Sequence, residues 1–212
     1  MPVQRAIGQE TRETAIKTDN QEEDITMEIL QTELPGVVLL TPRRFADARG
    51  FFSENYSKKT LAAQGIDIDF VQDNHSISQD TGTVRGLHFQ SPPHAQAKLV
   101  RCGQGALYDV AVDVRVGSPT YGKWVGYELS AENGRQLLIP AGFLHGFVTL
   151  APMTEIVYKC SDFYAPECDG AVRWDDPDLA IDWPLSGGTA AISDKDAVAP
   201  LMADFNSPFT YA

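Results

Sequence analysis

Between Gly36 and Tyr164 the chain breaks into short apolar runs separated by Gly, Pro, Asn and Ser. The runs are VVLLTP, FFSENY, DFVQDNHSIS, KLVRC, ALYDVAVDVRV, KWVGYEL, RQLLIP, FVTL and EIVYKCSDFY. Within ALYDVAVDVRV, Tyr108, Val110, Val112 and Val114 alternate with positions that include Asp109 and Asp113, which is the period of a half-buried strand and not of a helix. Runs this short and this closely punctuated predict an antiparallel sandwich or barrel. Two stretches predict helices: SKKTLAAQG, closed by Gly65, and SDKDAVAPLMADF, where Ser193 can cap and Asp196 stands three residues on. GSPTYG and SGGT read as turns. The body is therefore expected to be all-β with a few short helices.

Residues 1–28 break from this pattern. They are polar and acidic with few large apolar side chains, a composition that cannot offset the entropy of ordering a backbone, and they read as a flexible acidic N-terminal extension. Residues 29–212 are long enough for one substantial core, so a single domain is expected there. The formal net charge of -12 argues against a nucleic-acid partner, which needs a basic face, and confines any anionic ligand to a local pocket. Three cysteines without C-x-x-C spacing fit neither a disulfide framework nor a zinc knuckle, and suit a reducing cytoplasm. No run approaches the roughly 20 apolar residues of a membrane span, so no membrane partner is expected.

One stretch runs against the overall charge. From Thr81 to Tyr108 the chain carries Arg85, His88, His94, Lys98 and Arg101 with no carboxylate, which sets up a positive local field. Strand alternation would put Arg85 and Leu87 on one face and Gly86 and His88 on the other, with the glycine leaving room for a ligand. His88, between Leu87 and Phe89, points to a barrel interior or mouth; it is either a satisfied core histidine or, with a carboxylate behind it, a general base. His94 sits in the loop SPPHAQ and reads as solvent-facing, while His145, after a Pro-Ala-Gly turn, can reach the same mouth as His88. Two histidines on neighbouring strands suggest a metal cupin, but the short His-x-His...Glu run is missing its acid, since the next one after His88 is Asp109. Metal binding therefore ranks below acid–base chemistry. Tyr158 and Tyr164 read as core or girdle aromatics, or as a phenol able to donate a proton into a cavity. The plainest reading of Asp196 is a near capping box with Ser193.

FADARGFFSENY, QDNHSIS, GTVRGLHFQ, QAKLVR, DVAVDVRVGSPTYGKW, LIPAGFLHGF and YKCSDFYAPECDGAVRWDDP, in this order, resemble the dTDP-4-dehydrorhamnose 3,5-epimerases, from about Gly36 to the last helix. The resemblance implies a cupin jelly-roll β-sandwich or barrel and a metal-independent isomerase that needs no cofactor. Its implied reaction inverts C3 and C5 of dTDP-4-keto-6-deoxy-D-glucose beside the C4 ketone. It implies that His88 is the base, Asp196 the carboxylate behind it, Tyr158 the proton donor and Lys98 the group that offsets charge on the C4 oxygen. Arg85 and His145 match sugar and phosphate positions, and Arg49, Glu54, Gln72, Asn74 and Lys195 match nucleotide positions. Tyr164 and Asp169 match further substrate contacts, although Asp169 stands where the family more often has glutamate. A homodimer is implied, in which residues near Arg49 and Glu54 serve the neighbouring site. The rivals are a relative acting at C3 alone or shifting the keto group, a metal cupin oxygenase, and a nucleotide-sugar binding module without chemistry.

Overall fold

The computed structural model describes residues 27–185 and 187–211. Thirteen strands among them run β1 Met27–Gln31, β2 Val38–Pro42, β3 Phe45–Asp47, β4 Gly50–Phe52, β5 Gln72–Ser78, β6 Val84–Gln90, β7 Lys98–Gln104, β8 Ala106–Asp113, β9 Trp124–Ser130, β10 Gln136–Ile139, β11 Phe143–Thr149, β12 Thr154–Cys160 and β13 Asp169–Ala171. Two short helices accompany them, α1 Lys58–Ala63 and α2 Asp194–Ala197. Of the expected N-terminal extension, residues 1–26 lie outside the described residues, and Met27 already begins β1.

A six-stranded sheet ordered β1-β2-β10-β7-β12-β5 faces a five-stranded sheet ordered β13-β6-β11-β8-β9, and every pairing within them is antiparallel. This is the antiparallel sandwich that the short alternating runs predicted, and it agrees with the jelly roll that the resemblance implied. Three apolar layers hold it together. Val100, Ile156, Leu107, Ala111 and Phe147, drawn from both sheets, fill the space between them. The outer face of the five-stranded sheet, through Val110, Val112, Leu144 and Val148, is covered by the C-terminal chain with Trp183 and Phe209. On the other side α1 lays Leu61 over Leu40, Leu99 and Leu138. Ser57 starts that helix by accepting a hydrogen bond from the Thr60 N–H at 3.3 Å.

The burial of both faces corrects one expectation. Asp109 and Asp113 do not face water; both are fully buried, because their face of β8, shared with Leu107 and Ala111, turns toward the six-stranded sheet, while the C-terminal chain covers the side that carries Tyr108 and Val110. Asp113 is satisfied by Arg115, Ser118 and Thr120. FFSENY also departs from a single strand: its first two residues close the small β3-β4 hairpin and the rest is irregular. The C-terminal helix is shorter than its pattern suggested, since Pro200 follows α2 and a separate 3-10 turn forms at Met202–Asp204.

A second correction concerns β6. His145 pairs with His88 and Phe147 with Arg85, so three steps along β6 match two along β11. This is a bulge, and it places Arg85 and His88 on the same inward face, which strict alternation would not do. Gly86 sits in it at φ 120°, and a Cβ there would lie 2.6 Å from the Gly146 Cα and 2.7 Å from the His145 carbonyl oxygen. The glycine makes room for β11, not for a ligand. Gly86→Ala is expected to cost roughly 2–4 kcal/mol in urea unfolding, from backbone strain together with overpacking; an unchanged midpoint would contradict the bulge.

Candidate active site

The bulge turns the His88 ring toward α2, which arrives from the far end of the chain. His88 Nε2 stands 2.6 Å from Asp196 Oδ1, and Asp196 is 3% exposed. Asp196 takes part in the cap and in the histidine pair through different atoms. Its backbone N–H donates to the Ser193 hydroxyl at 3.1 Å, while its carboxylate leaves the cap for the imidazole and accepts a long hydrogen bond from the Gly86 N–H at 3.5 Å. With Nε2–H held by the carboxylate, the free lone pair of a neutral His88 is on Nδ1. Burial holds the His88 pKa below the ordinary histidine value, outweighing the hydrogen bond and charge of Asp196 that pull it upward; Lys98 lowers it further and Asp169 raises it. The imidazole is thus neutral at pH 7 and ready to accept a proton.

A hollow of about 400 Å³ opens beside this pair, lined by Thr83, Arg85, His88, Ile192, Lys195 and Asp196. A second hollow, of about 280 Å³, lies by Asn55, Tyr56, Asp73, Arg101, Tyr158 and Lys159; His88 and Asp196 do not line it. The His88–Asp196 pair lines the first and Tyr158 the second.

The six-stranded sheet faces β6 across the sandwich. Alternation along β12 turns Ile156, Tyr158 and Cys160 inward, and the pairing sets Asn74 beside Tyr158 and both Gln72 and Lys98 beside Cys160. Gln72 Nε2 donates to Asn74 Oδ1 at 3.1 Å, and Asn74 Nδ2 approaches the Cys160 sulfur at 3.7 Å. Burial pushes the Tyr158 phenol up, reinforced by Cys160 and tempered by a hydrogen bond with Asn74 and the charge of Arg85, so it carries its proton at neutral pH. Burial pulls the Lys98 ammonium down from the ordinary lysine value, against the opposing pull of Cys160, Asp109 and Asp169.

Other expected contacts gather at the rim. Arg85 leans across to the six-stranded sheet, donating from Nε to the Ser78 hydroxyl at 3.3 Å and from Nη2 to the Ile77 carbonyl at 3.4 Å. Lys195 pairs with Asp169 at 2.5 Å, so the shorter acid still meets the lysine. Tyr164 is exposed, and its backbone N–H donates to Gln72 Oε1 at 3.0 Å. His145 is buried, with Nε2 2.8 Å from Asp109 Oδ1. His94 is half-exposed in its loop and pairs with Asp162 at 3.1 Å. Arg49 and Glu54 are not brought to this hollow: both are exposed, and Arg49 is bound to Asp47 of the β3-β4 hairpin.

Sequence reasoning passed over Asp109. It looked like the wet side of a half-buried strand and too distant from His88 to join a motif. The available signal was its place between Leu107 and Ala111, an apolar alternate face in its own right. Among the described residues no three His, Cys, Asp or Glu side chains converge as a metal-holding group.

The profile of one family matches residues 31–204, and that family is described as dTDP-4-dehydrorhamnose 3,5-epimerase. The chain belongs to the dTDP-4-dehydrorhamnose 3,5-epimerase family. It is 54% identical to the dTDP-4-dehydrorhamnose 3,5-epimerase of Sinorhizobium fredii over 175 residues, covering 82% of this chain and 89% of that one. The crystal structure of the Bacillus anthracis family member, with TDP and PPi bound, is 50% identical with a TM-score of 0.80, over 83% of this chain and 99% of that one. The Legionella pneumophila member, in complex with dTDP-4-keto-L-rhamnose, is 45% identical with a TM-score of 0.84, over 88% and 99%. Family membership makes the chain an isomerase and accounts for a positive, carboxylate-poor stretch in an acidic protein.

Proposed function

We propose that this chain inverts C3 and C5 of dTDP-4-keto-6-deoxy-D-glucose to give dTDP-4-keto-L-rhamnose, with His88 as base and Tyr158 as acid. The observation that carries the reading is the 2.6 Å pair of His88 with the buried Asp196. The C4 ketone acidifies the hydrogens on its two neighbouring carbons. Nδ1 of His88 takes one of them, the C–H electrons move into the C3–C4 or C4–C5 bond, and the ketone becomes an enolate. Asp196 stabilises the resulting imidazolium. Inversion requires the new proton on the opposite face, and Tyr158 suits this because it comes from the facing sheet and keeps its phenol proton at neutral pH. Lys98 offsets charge on the C4 oxygen as the enolate forms.

Arg85 and Lys195 flank the hollow where the diphosphate would lie, with Asp169 orienting Lys195. His145 faces the sugar, while Gln72, Asn74 and Tyr164 serve the nucleoside side. Arg49 and Glu54 act in the neighbouring site of a homodimer; the exposure of Phe45, Phe51 and Phe52 on the same hairpin supports this assignment. The reaction proceeds without metal or cofactor, in the cytoplasm. Among the described residues no helix is long and apolar enough to cross a membrane.

The test is incubation with dTDP-4-keto-6-deoxy-D-glucose in deuterium oxide, followed by NMR. Deuterium at C3 and C5 with inversion is expected; deuterium at C3 alone would assign the chain to action at that carbon only, and no exchange would refute the mechanism. Two variants refine it. Tyr158→Phe should still lose protons from carbon while inversion slows, and full-rate epimerisation would remove the phenol from its role. Lys98→Met should lower kcat by roughly 10²–10³-fold with a smaller change in KM, because the donor acts on charge that develops in the transition state; a loss confined to KM would make Lys98 a binding residue.

A further inference from the structure

Asp109 holds the one buried side-chain oxygen among the described residues that has no hydrogen-bond partner. Its Oδ1 is taken by His145 Nε2 at 2.8 Å, while its Oδ2 is bare and the residue is 0% exposed. Leaving a buried polar group unsatisfied costs about 1–3 kcal/mol, more when it is charged, and a group kept so is accounted for by strain, by a catalytic role or by something outside the polypeptide that completes it. The direction of the side chain says where that something sits. Asp109 shares the inward face of β8 with Leu107 and Ala111, in the layer between the two sheets. From the facing sheet Lys98 also turns inward; it feels the charge of Asp109, yet among the described residues its ammonium makes no hydrogen bond or ion pair. A carboxylate oxygen and an ammonium thus look into one interior from opposite sides without joining, an arrangement that suits a ligand with an oxyanion on one side and a hydroxyl on the other.

We propose that Asp109 Oδ2 accepts a hydrogen bond from the C2 hydroxyl of the sugar. This rests on the assignment of the 4-keto sugar as substrate. The ring has two free hydroxyls, on C2 and C3. Inversion at C3 swings its hydroxyl from one face to the other, so a fixed, buried acceptor would lose it halfway through the reaction. The C2 centre keeps its configuration throughout. C2 and C4 also flank C3: with the C4 oxygen at Lys98 and the C2 hydroxyl at Asp109, the carbon between them is presented to His88 and Tyr158. His145 holds the other carboxylate oxygen, so the acceptor cannot rotate away. Asp109 is thereby a substrate-binding residue that reads the presence of the C2 oxygen.

The test uses two unreactive ligands, dTDP-6-deoxy-D-glucose and its 2-deoxy counterpart. Neither has a ketone, so binding is read without turnover and is independent of whether the chain epimerises anything. Calorimetry on the wild-type protein should give a Kd for the 2-deoxy ligand at least about 10-fold higher, the size of a charge-assisted hydrogen bond. In Asp109→Ala that ratio should collapse to near 1, while dTDP alone binds as in the wild type. Asp109→Asn, which keeps the side-chain volume and a bond to His145, should give a ratio between the two and serves where the alanine protein does not fold. A wild-type ratio near 1 would overturn the proposal, as would an undiminished ratio in either variant. If the deuterium experiment fails while these ratios hold, the epimerase mechanism falls and the C2 contact stands.

Discussion

His88→Ala is expected to reduce turnover by roughly 10³–10⁴-fold while dTDP binding survives. The imidazole is the one uncharged base in the hollow, held neutral by burial against the pull of its own carboxylate. Alanine removes the acceptor without touching Arg85 or Lys195 at the rim. Deuterium exchange at both C3 and C5 should fall together, because one group serves both carbons; a variant that still exchanged C5 would demand a second base. The same balance of forces sets the pH dependence. A base with a lowered pKa stays unprotonated further into acid, so the acid limb of kcat/KM should lie below the ordinary histidine value of about 6.5 and not above it. An acid limb well above that value would mean that Asp196 outweighs burial.

Asp196→Asn should lower kcat by roughly 10²–10⁴-fold, comparable to the loss of the orienting carboxylate in other His–Asp pairs. The amide can no longer neutralise the imidazolium that forms when His88 takes the proton, and its NH₂ group can turn the ring into the wrong tautomer. Stability should change little from loss of the cap, since Ser193 binds the backbone N–H of residue 196 and not its side chain. The acid limb gives an independent check on sign. Asp196 raises the His88 pKa, so its removal should move the limb to still lower pH. Unchanged kcat with an unmoved limb would separate the carboxylate from the base.

Much of this was legible because strands write their burial into alternate residues. β7, β8, β9 and β12 lie where the apolar runs placed them. Alternation fails where its assumption of one wet face fails, and that is why Asp109 looked solvent-facing: nothing local to β8 says that residues seventy positions later will cover its other side with Trp183. The Gly86 bulge was equally hidden, for a glycine in a strand signals close approach without saying whether ligand or backbone approaches. Asp196 marks the limit most sharply. Its own neighbourhood describes a helix cap, and only the family resemblance tied it to a histidine 108 residues earlier.

That span also orders events at the ribosome. The strands of both sheets are synthesised by Ala171, yet Asp196 and the backbone of Ala191, which accepts from the Val84 N–H and pins the start of β6, come afterwards. Until the stretch from Ala191 to Phe209 emerges, His88 has no carboxylate behind it and one side of the five-stranded sheet lacks Phe209. A nascent or C-terminally clipped chain can therefore have its sandwich strands and still lack the His88–Asp196 pair, which ties assembly of the candidate site to a segment made after the sheets.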